Sequence, residues 1–175
     1  VSYPEMVKLA DGKPVYINTT AEQNFKITAE QLEAAITPKT KAFIFSTPCN
    51  PSGSVYTKAE LASLVEVFKK HPQIIILSDE IYEFIQYEQK HESMGQFTEL
   101  KDRLVIINGV AKGYAMTGWR IGYIAAPKAI VSACNKIQGQ YTSGICTIAQ
   151  AASLEAVKMS PENSEEIQTM LKAFR

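Results

Sequence analysis

The sequence contains few of the residues that mark several common classes of protein. Its three cysteines, Cys49, Cys134 and Cys146, are odd in number and widely spaced, which favours neither a disulfide framework nor a zinc site. The two histidines, His71 and His91, lie in polar, loop-like stretches without a second ligand at metal spacing. We therefore predict no metal site, and the sparse cysteines are consistent with a reducing, cytoplasmic location.

The chain also lacks an excess of charge of either sign and a long apolar run. Its 18 basic residues balance 18 acidic residues, so the charge gives no indication of a nucleic-acid or anionic-membrane partner. No apolar run approaches the roughly 20 residues that a membrane helix needs. What remains is a chain of 175 residues with 46% hydrophobic content, which is ordinary for one globular domain with a substantial core.

Short apolar runs recur along the chain. They predict strands over residues 13–18, 41–46, 74–77, 104–107 and 121–126. Several of these runs are apolar on both faces, which is typical of a sheet covered by helices on each side. Because the runs alternate with helical patterns, the sequence predicts an α/β fold with three layers, helix–sheet–helix, and a mostly parallel sheet.

Helix-starting patterns fall between the predicted strands. Thr28 is followed three residues later by Gln31, and Thr57 by Glu60, so that each pair can form a capping box. The helix after Thr57 carries regularly spaced apolar residues on one face: Leu61, Leu64, Val65 and Phe68. Pro127 predicts the start of another helix, and helical patterns cover residues 145–159 and 164–174.

Polar side chains follow three of the predicted strands. Asn50 lies in an Asn-Pro-Ser-Gly turn, Asp79 and Tyr82 follow the third run, and Lys112 and Arg120 follow the fourth. Taken singly, each is explained by a turn or a helix cap. In a parallel sheet, however, ligands bind beyond the carboxyl ends of the strands. Together these residues would bring an amide, a carboxylate, a phenol, an amine and a guanidinium to one edge.

This combination of groups suits pyridoxal 5′-phosphate. Hydrolytic chemistry fits poorly, because no histidine accompanies a serine or cysteine nucleophile at these strand ends. A pyridoxal cofactor needs an amine for a Schiff base, here Lys112, and a carboxylate for its pyridine nitrogen, here Asp79. The phenol of Tyr82 and the amide of Asn50 can bond the ring's phenolic oxygen, and Arg120 can hold the phosphate in two places.

Three stretches also carry a resemblance to a known family. GVAKGYAMTGWRIG, TPCNPSG and SDEIYEFIQY resemble the cofactor-attachment motif, the N-P-T-G turn and the S-D-E-I-Y-E segment of the class I aminotransferases of fold type I. The match is strongest to the aspartate aminotransferase-like branch. VSYPEMVKLADGKPV resembles the region that follows that family's cofactor-stacking aromatic residue. The resemblance runs over nearly the whole chain in the family's order.

The resemblance implies a role for each candidate residue. Lys112, Asp79 and Tyr82 would be catalytic: Lys112 would bind the cofactor aldehyde and move the substrate's proton, and Asp79 would pair with the pyridinium nitrogen. Tyr82 and Asn50 would bond the phenolic oxygen, and Arg120 would hold the phosphate. The implied reaction transfers an amino group between an L-amino acid, aspartate by default, and a 2-oxo acid.

The resemblance further implies that residues 1–175 are the central part of the large cofactor-binding domain of a homodimeric enzyme. The N-terminal part of that domain and the small domain, which holds the arginine for the substrate carboxylate, would lie outside the chain. We therefore expect these residues alone to be inactive.

Two alternatives stay open at this point. A C–S lyase of the same fold would use the same cofactor residues, and a cofactor-binding sensor domain of a transcription regulator would share the fold without turnover. The intact Asn-Pro-Ser-Gly turn favours an enzyme over a regulator.

Overall fold

The computed structural model describes residues 2–175 and contains a four-stranded sheet. Its strands are β1 (Ala42–Ser46), β2 (Ile75–Asp79), β3 (Leu104–Asn108) and β4 (Tyr123–Ala125). They lie in the order β1-β2-β3-β4, with the first three parallel and β4 antiparallel to β3. Helices lie on both sides of the sheet. The predicted three-layer α/β fold with a mostly parallel sheet is therefore confirmed.

The α-helices of residues 2–175 are α1 (Tyr3–Leu9), α2 (Ala29–Ala35), α3 (Lys58–Lys70), α4 (Lys128–Tyr141), α5 (Thr147–Lys158) and α6 (Glu165–Phe174). Short 3₁₀ turns occur at Met94–Gln96, Thr98–Leu100, Thr117–Trp119 and Pro161–Asn163. None of the helices in this part of the chain has both the length and the apolar composition to cross a bilayer.

Both predicted capping boxes are present. At α2, Thr28 accepts a hydrogen bond from the Gln31 amide, and the Gln31 side chain accepts one from the Thr28 amide at 2.9 Å. At α3, the same exchange joins Thr57 and Glu60, with the Thr57 amide donating to Glu60 Oε2 at 2.7 Å. Each box satisfies backbone donors that the first turn of a helix would otherwise leave unpaired.

Helix α3 provides one wall of the main core. Its inner face buries Leu61, Leu64, Val65, Val67 and Phe68, so the four predicted positions are confirmed and Val67 is added. The Phe68 ring packs on Phe43 of β1, with the ring centroids 5.3 Å apart. This contact holds α3 against β1, the strand at one edge of the sheet.

The strand prediction for residues 13–18 is wrong. These residues form an irregular segment, and Val15 and Tyr16 are 70% and 65% exposed. A strand is stabilised by hydrogen bonds to a neighbouring strand, and within residues 2–175 this segment is not part of the sheet. A short apolar run alone does not supply that neighbour.

Side chains of β2 alternate between two environments, and this alternation places the candidate site. Ile76 and Ser78 are buried on the face that meets the α3 core, whereas Leu77 and Asp79 are half-buried on the other face. Successive side chains of a strand point to opposite faces. Asp79 therefore stands at the end of β2, on the side away from the core.

Candidate functional site

Asn50 and Tyr82 meet at the carboxyl ends of β1 and β2. Asn50 lies in the turn that follows β1, and Tyr82 lies in the turn that follows β2. The side-chain amide of Asn50 donates to the Tyr82 hydroxyl at 3.0 Å. These two strands are parallel neighbours, so their ends lie side by side. The structure thus brings together the amide and the phenol that the sequence places 32 residues apart.

Asp79 is held at both carboxylate oxygens. Its Oδ1 accepts a hydrogen bond from the Ile81 amide at 3.2 Å, and its Oδ2 accepts one from the Tyr3 hydroxyl at 2.5 Å. The first bond is a local turn contact, whereas the second joins residues 76 positions apart. The carboxylate is therefore oriented by α1 as well as by its own turn.

Tyr3 was not among the predicted site residues. Burial, together with the hydrogen bond to Asp79, raises the pKa of Tyr3 well above its ordinary value. The phenol therefore stays protonated and remains a donor to the carboxylate. Tyr3 lies in the VSYPEM stretch that contributed to the family resemblance, but nothing in its spacing from Asp79 indicates a contact.

An open groove connects these residues. Tyr3, Asn50, Asp79 and Tyr82 all line it, together with residues of β1, and its volume is about 1010 Å³. Pockets for small ligands commonly measure about 300–1,000 Å³. The groove therefore has space for a small aromatic cofactor, and an ionisable carboxylate, a phenol and an amide face it.

Lys112 approaches the same edge from the loop after β3. Its Nζ lies 5.7 Å from the centroid of the Tyr82 ring, within the range of a cation–π contact. Because Tyr82 also contacts Asn50, the predicted lysine, phenol and amide form one connected set. Asp79 lies three residues before Tyr82, at the end of β2. Four of the predicted residues therefore lie at one edge of the sheet.

Two glycines near Lys112 are explained by packing. A Cβ at Gly109 would lie 2.8 Å from the carbonyl oxygen of Ile121, and a Cβ at Gly113 would lie 2.7 Å from Cδ2 of Phe84. Both distances are shorter than real side chains allow. The glycines let the Lys112 loop pack directly against the segment before β4 and against the turn after β2.

Arg120 makes different contacts from the other predicted residues. It is exposed, has a left-handed backbone conformation with φ 56°, and donates from Nη1 to the Thr117 carbonyl at 2.8 Å. It lines a second cleft of about 580 Å³, together with Trp119 and Gln138. Among the contacts described for residues 2–175, none joins Arg120 to Asn50, Asp79, Tyr82 or Lys112.

Comparison with known proteins covers the whole chain. Residues 1–175 match the model of the family described as aminotransferase class I and II. The chain is 52% identical to an aspartate/prephenate aminotransferase of Cereibacter sphaeroides over 90% of its own length and 40% of that protein. It is 48% identical to an aspartate aminotransferase of Bacillus sp. strain YM-2 over 99% of its own length and 44% of that protein.

The solved structures that resemble this chain include aminotransferases as well. A crystal structure of the aspartate aminotransferase from Rhizobium meliloti superposes with a TM-score of 0.93 and 40% identity, covering 99% of this chain and 43% of that one. An aromatic aminotransferase from Pyrococcus horikoshii superposes with a TM-score of 0.88 and 35% identity, covering 99% and 45%. The chain thus spans less than half the length of these relatives.

Proposed function

We propose, since this chain belongs to the class I and II aminotransferase family, that the protein transfers an amino group between an L-amino acid and a 2-oxo acid, using pyridoxal 5′-phosphate. The observation that carries the proposal is the connected set of Asn50, Tyr82 and Lys112 beside Asp79 at one edge of the sheet. The names of the relatives favour amino transfer over a C–S lyase or a regulator's sensor domain.

The groups present fit this cofactor. Asp79 offers a carboxylate that two donors already orient, which suits a partner for a pyridine nitrogen. The Asn50–Tyr82 pair offers two neighbouring hydrogen-bonding groups, 3.0 Å apart, that could both bond one ring oxygen beside them. When bound, pyridoxal phosphate supplies an aldehyde for the amine and a ring that withdraws electrons from the substrate's Cα.

In this proposal Lys112 has two tasks. Its amine holds the cofactor, and once released it carries the proton that leaves the substrate's Cα. The Tyr82 ring lies beside Nζ and limits the positions that the amine can occupy. Asp79 would offer its carboxylate to the ring nitrogen, and the Tyr3 phenol maintains the direction of that carboxylate.

Arg120 remains our candidate for the phosphate group. Its guanidinium bonds only one backbone carbonyl among the described contacts, so its remaining donors are available to an anion. In this structure the side chain lines the cleft beside Trp119. We assign phosphate binding to Arg120 on the residue type and its place in the motif.

The wider assignments are also proposals. We take residues 1–175 to be the central part of the large cofactor-binding domain, because the relatives are more than twice as long. We further propose a homodimer in the cytoplasm, with aspartate as the amino donor by analogy with the relatives' names. The three free cysteines are consistent with that compartment.

The deciding experiment is chemical labelling of the lysine. The intact protein is incubated with pyridoxal phosphate, reduced with borohydride and digested, and the peptides are weighed by mass spectrometry. We expect the cofactor mass on the Lys112 peptide, and its loss in Lys112→Ala together with all measurable amino transfer. Lys136→Ala, an exposed lysine on α4, is the matched control and should keep both. Label on another lysine, or full activity of Lys112→Ala, would refute the assignment.

A further inference from the structure

Next to the candidate site, on the core face of the sheet, lies a buried carboxylate that the proposed chemistry does not use. Glu80 directly follows β2 and is 1% exposed. Its Oε1 accepts hydrogen bonds from the Ser78 hydroxyl at 2.9 Å and from the Met94 amide at 3.0 Å. Its Oε2 lies 3.0 Å from Nε2 of His91. We call these four residues, Ser78, Glu80, His91 and Met94, the Glu80 clamp.

His91 is more enclosed than its polar surroundings in the sequence suggested. Its side chain is 7% exposed, and its Nδ1 is buried without a hydrogen-bond partner among the described residues. The contact of Nε2 with Glu80 therefore sets the orientation of the ring. The His91 amide in turn donates to the Gln86 side chain, so the segment after the Tyr82 turn is held at this point as well.

The backbone of Glu80 is fixed from both sides. Its amide donates to the Ile107 carbonyl of β3 at 2.8 Å, and its carbonyl accepts from the Glu83 amide at 2.9 Å. The turn continues with a bond from the Ile85 amide to the Tyr82 carbonyl at 2.8 Å. Glu80 thus links the sheet, the turn that carries Tyr82 and the segment that carries His91.

Stability alone is a weak explanation for such a group. Burial by itself would raise the pKa of Glu80, but hydrogen bonds from His91, Ser93, the Met94 amide and Ser78 together hold that pKa below its ordinary value. A buried carboxylate with a partner often contributes no more to stability than an apolar side chain of similar size. The charged, hydrogen-bonded carboxylate instead holds the Glu80 side chain in one orientation.

We propose that the Glu80 clamp positions the Asp79–Tyr82 turn, so that Glu80 and His91 are positioning residues for the carboxylate and the phenol of the site. Asp79 is the residue before Glu80, and Tyr82 lies two residues after it. Anchoring Glu80 in the core leaves these two side chains on the groove, where Tyr3 and Asn50 complete their orientation. The inference rests on the proposed function of that groove.

The test compares two glutamate–histidine pairs in the intact protein. Glu80→Gln keeps the size of the side chain but replaces one carboxylate oxygen by a donor, and His91→Leu removes the ring contact. His91→Gln retains a side-chain N–H, so we expect it to disturb the turn less than His91→Leu does. The matched controls are Glu33→Gln and His71→Leu. They disrupt a 2.6 Å pair between α2 and the end of α3 that is partly exposed and does not line the groove.

The first readout is hydrogen exchange in the cofactor-free protein. The amides of Ile81, Glu83 and Ile85 report on the turn, and the amides of Lys58–Lys70 report on the core helix α3. We expect Glu80→Gln and His91→Leu to speed exchange in the turn by about tenfold or more while α3 stays protected. Equal acceleration in α3 would indicate a general loss of stability and would overturn the positioning role.

The second readout is the dissociation constant for pyridoxal phosphate, measured by absorbance. We expect this constant to rise by about tenfold in Glu80→Gln and His91→Leu. A change of this size is typical when a residue that orients a ligand-binding group is replaced. His91→Gln should recover part of the affinity, and the Glu33 and His71 variants should bind as the unmodified protein does. Unchanged affinity in Glu80→Gln would overturn the proposal.

The two proposals can fail separately. If the wild-type protein does not acquire the cofactor mass on Lys112, the proposed function fails, whatever the exchange rates of the turn. If Lys112 is labelled as expected but the turn and the affinity are insensitive to Glu80 and His91, only the clamp fails.

Discussion

Helices α3 and α4 are similar in length and amphipathic pattern but differ in what covers them. Helix α3 has 13 residues and buries five apolar side chains against the sheet. Helix α4 has 14 residues and buries none within the described part of the chain, where Ile137 and Tyr141 are 61% and 84% exposed. An amphipathic pattern thus predicts a helix and a preferred face, but it does not say what packs on that face.

The difference follows from the position of each helix relative to the sheet. Helix α3 connects two neighbouring parallel strands, β1 and β2, and such a connection places the helix directly on the sheet. Helix α4 follows the short antiparallel strand β4 at the edge of the sheet. Its apolar side chains have few neighbours among residues 2–175. We therefore expect stability to depend on α3 much more than on α4.

The largest effect should come from the core side of α3. Phe68→Ala removes a fully buried ring that packs on Phe43, and we expect it to lower the free energy of unfolding by about 3–5 kcal/mol. Denaturant unfolding followed by circular dichroism measures the change. Phe174→Ala, at the exposed end of α6, is the control and should change the value by less than about 0.5 kcal/mol. A loss under 1 kcal/mol in Phe68→Ala would contradict the greater dependence of stability on α3, because a loss of at least ~3 kcal/mol is expected for removing a buried phenylalanine ring.

The start of α3 should give an intermediate effect. Thr57→Ala removes one half of the capping box and should cost about 1 kcal/mol in the same unfolding experiment. The control is Thr147→Ala at the start of α5, where the N-cap residue Cys146 makes no capping hydrogen bond. Equal losses in the two variants would show that the observed cap contributes nothing specific to α3.

The smallest effect should come from the exposed face of α4. Ile137→Ala should change the free energy of unfolding by less than about 0.5 kcal/mol, because within residues 2–175 the side chain is 61% exposed. Leu64→Ala is the matched substitution on α3 and should cost about 2–5 kcal/mol. A loss of 2 kcal/mol or more in Ile137→Ala would mean that another chain segment or a second copy covers α4 in the intact protein.

Much of the fold follows from local patterns. The capping boxes at Thr28 and Thr57, the inner face of α3 and four of the five predicted strands are confirmed, although their ends shift by one or two residues. These features depend on neighbours within a few positions, so a single sequence contains the necessary information. The failed strand at residues 13–18 needed a partner strand, which a local pattern does not reveal.

In the candidate site, too, some features follow from the sequence and others do not. Asn50, Asp79 and Tyr82 were predicted because each follows a strand, and parallel strands bring such residues to one edge. The contacts of Tyr3 with Asp79 and of His91 with Glu80 were missed. Both depend on how distant or looped segments pack against the end of β2, and neither pair shows a characteristic spacing.

The sequence by itself determined which residue types stand at the ends of the strands, because strand and helix periods are local and place those positions on the sheet. Tertiary structure alone decided which of these groups touch, which helix face is covered, and which partners Asp79 and Glu80 bind. The physical reason is that a hydrogen bond or a buried contact requires two groups to meet in space. For residues far apart in the chain, only strand order and packing bring them together.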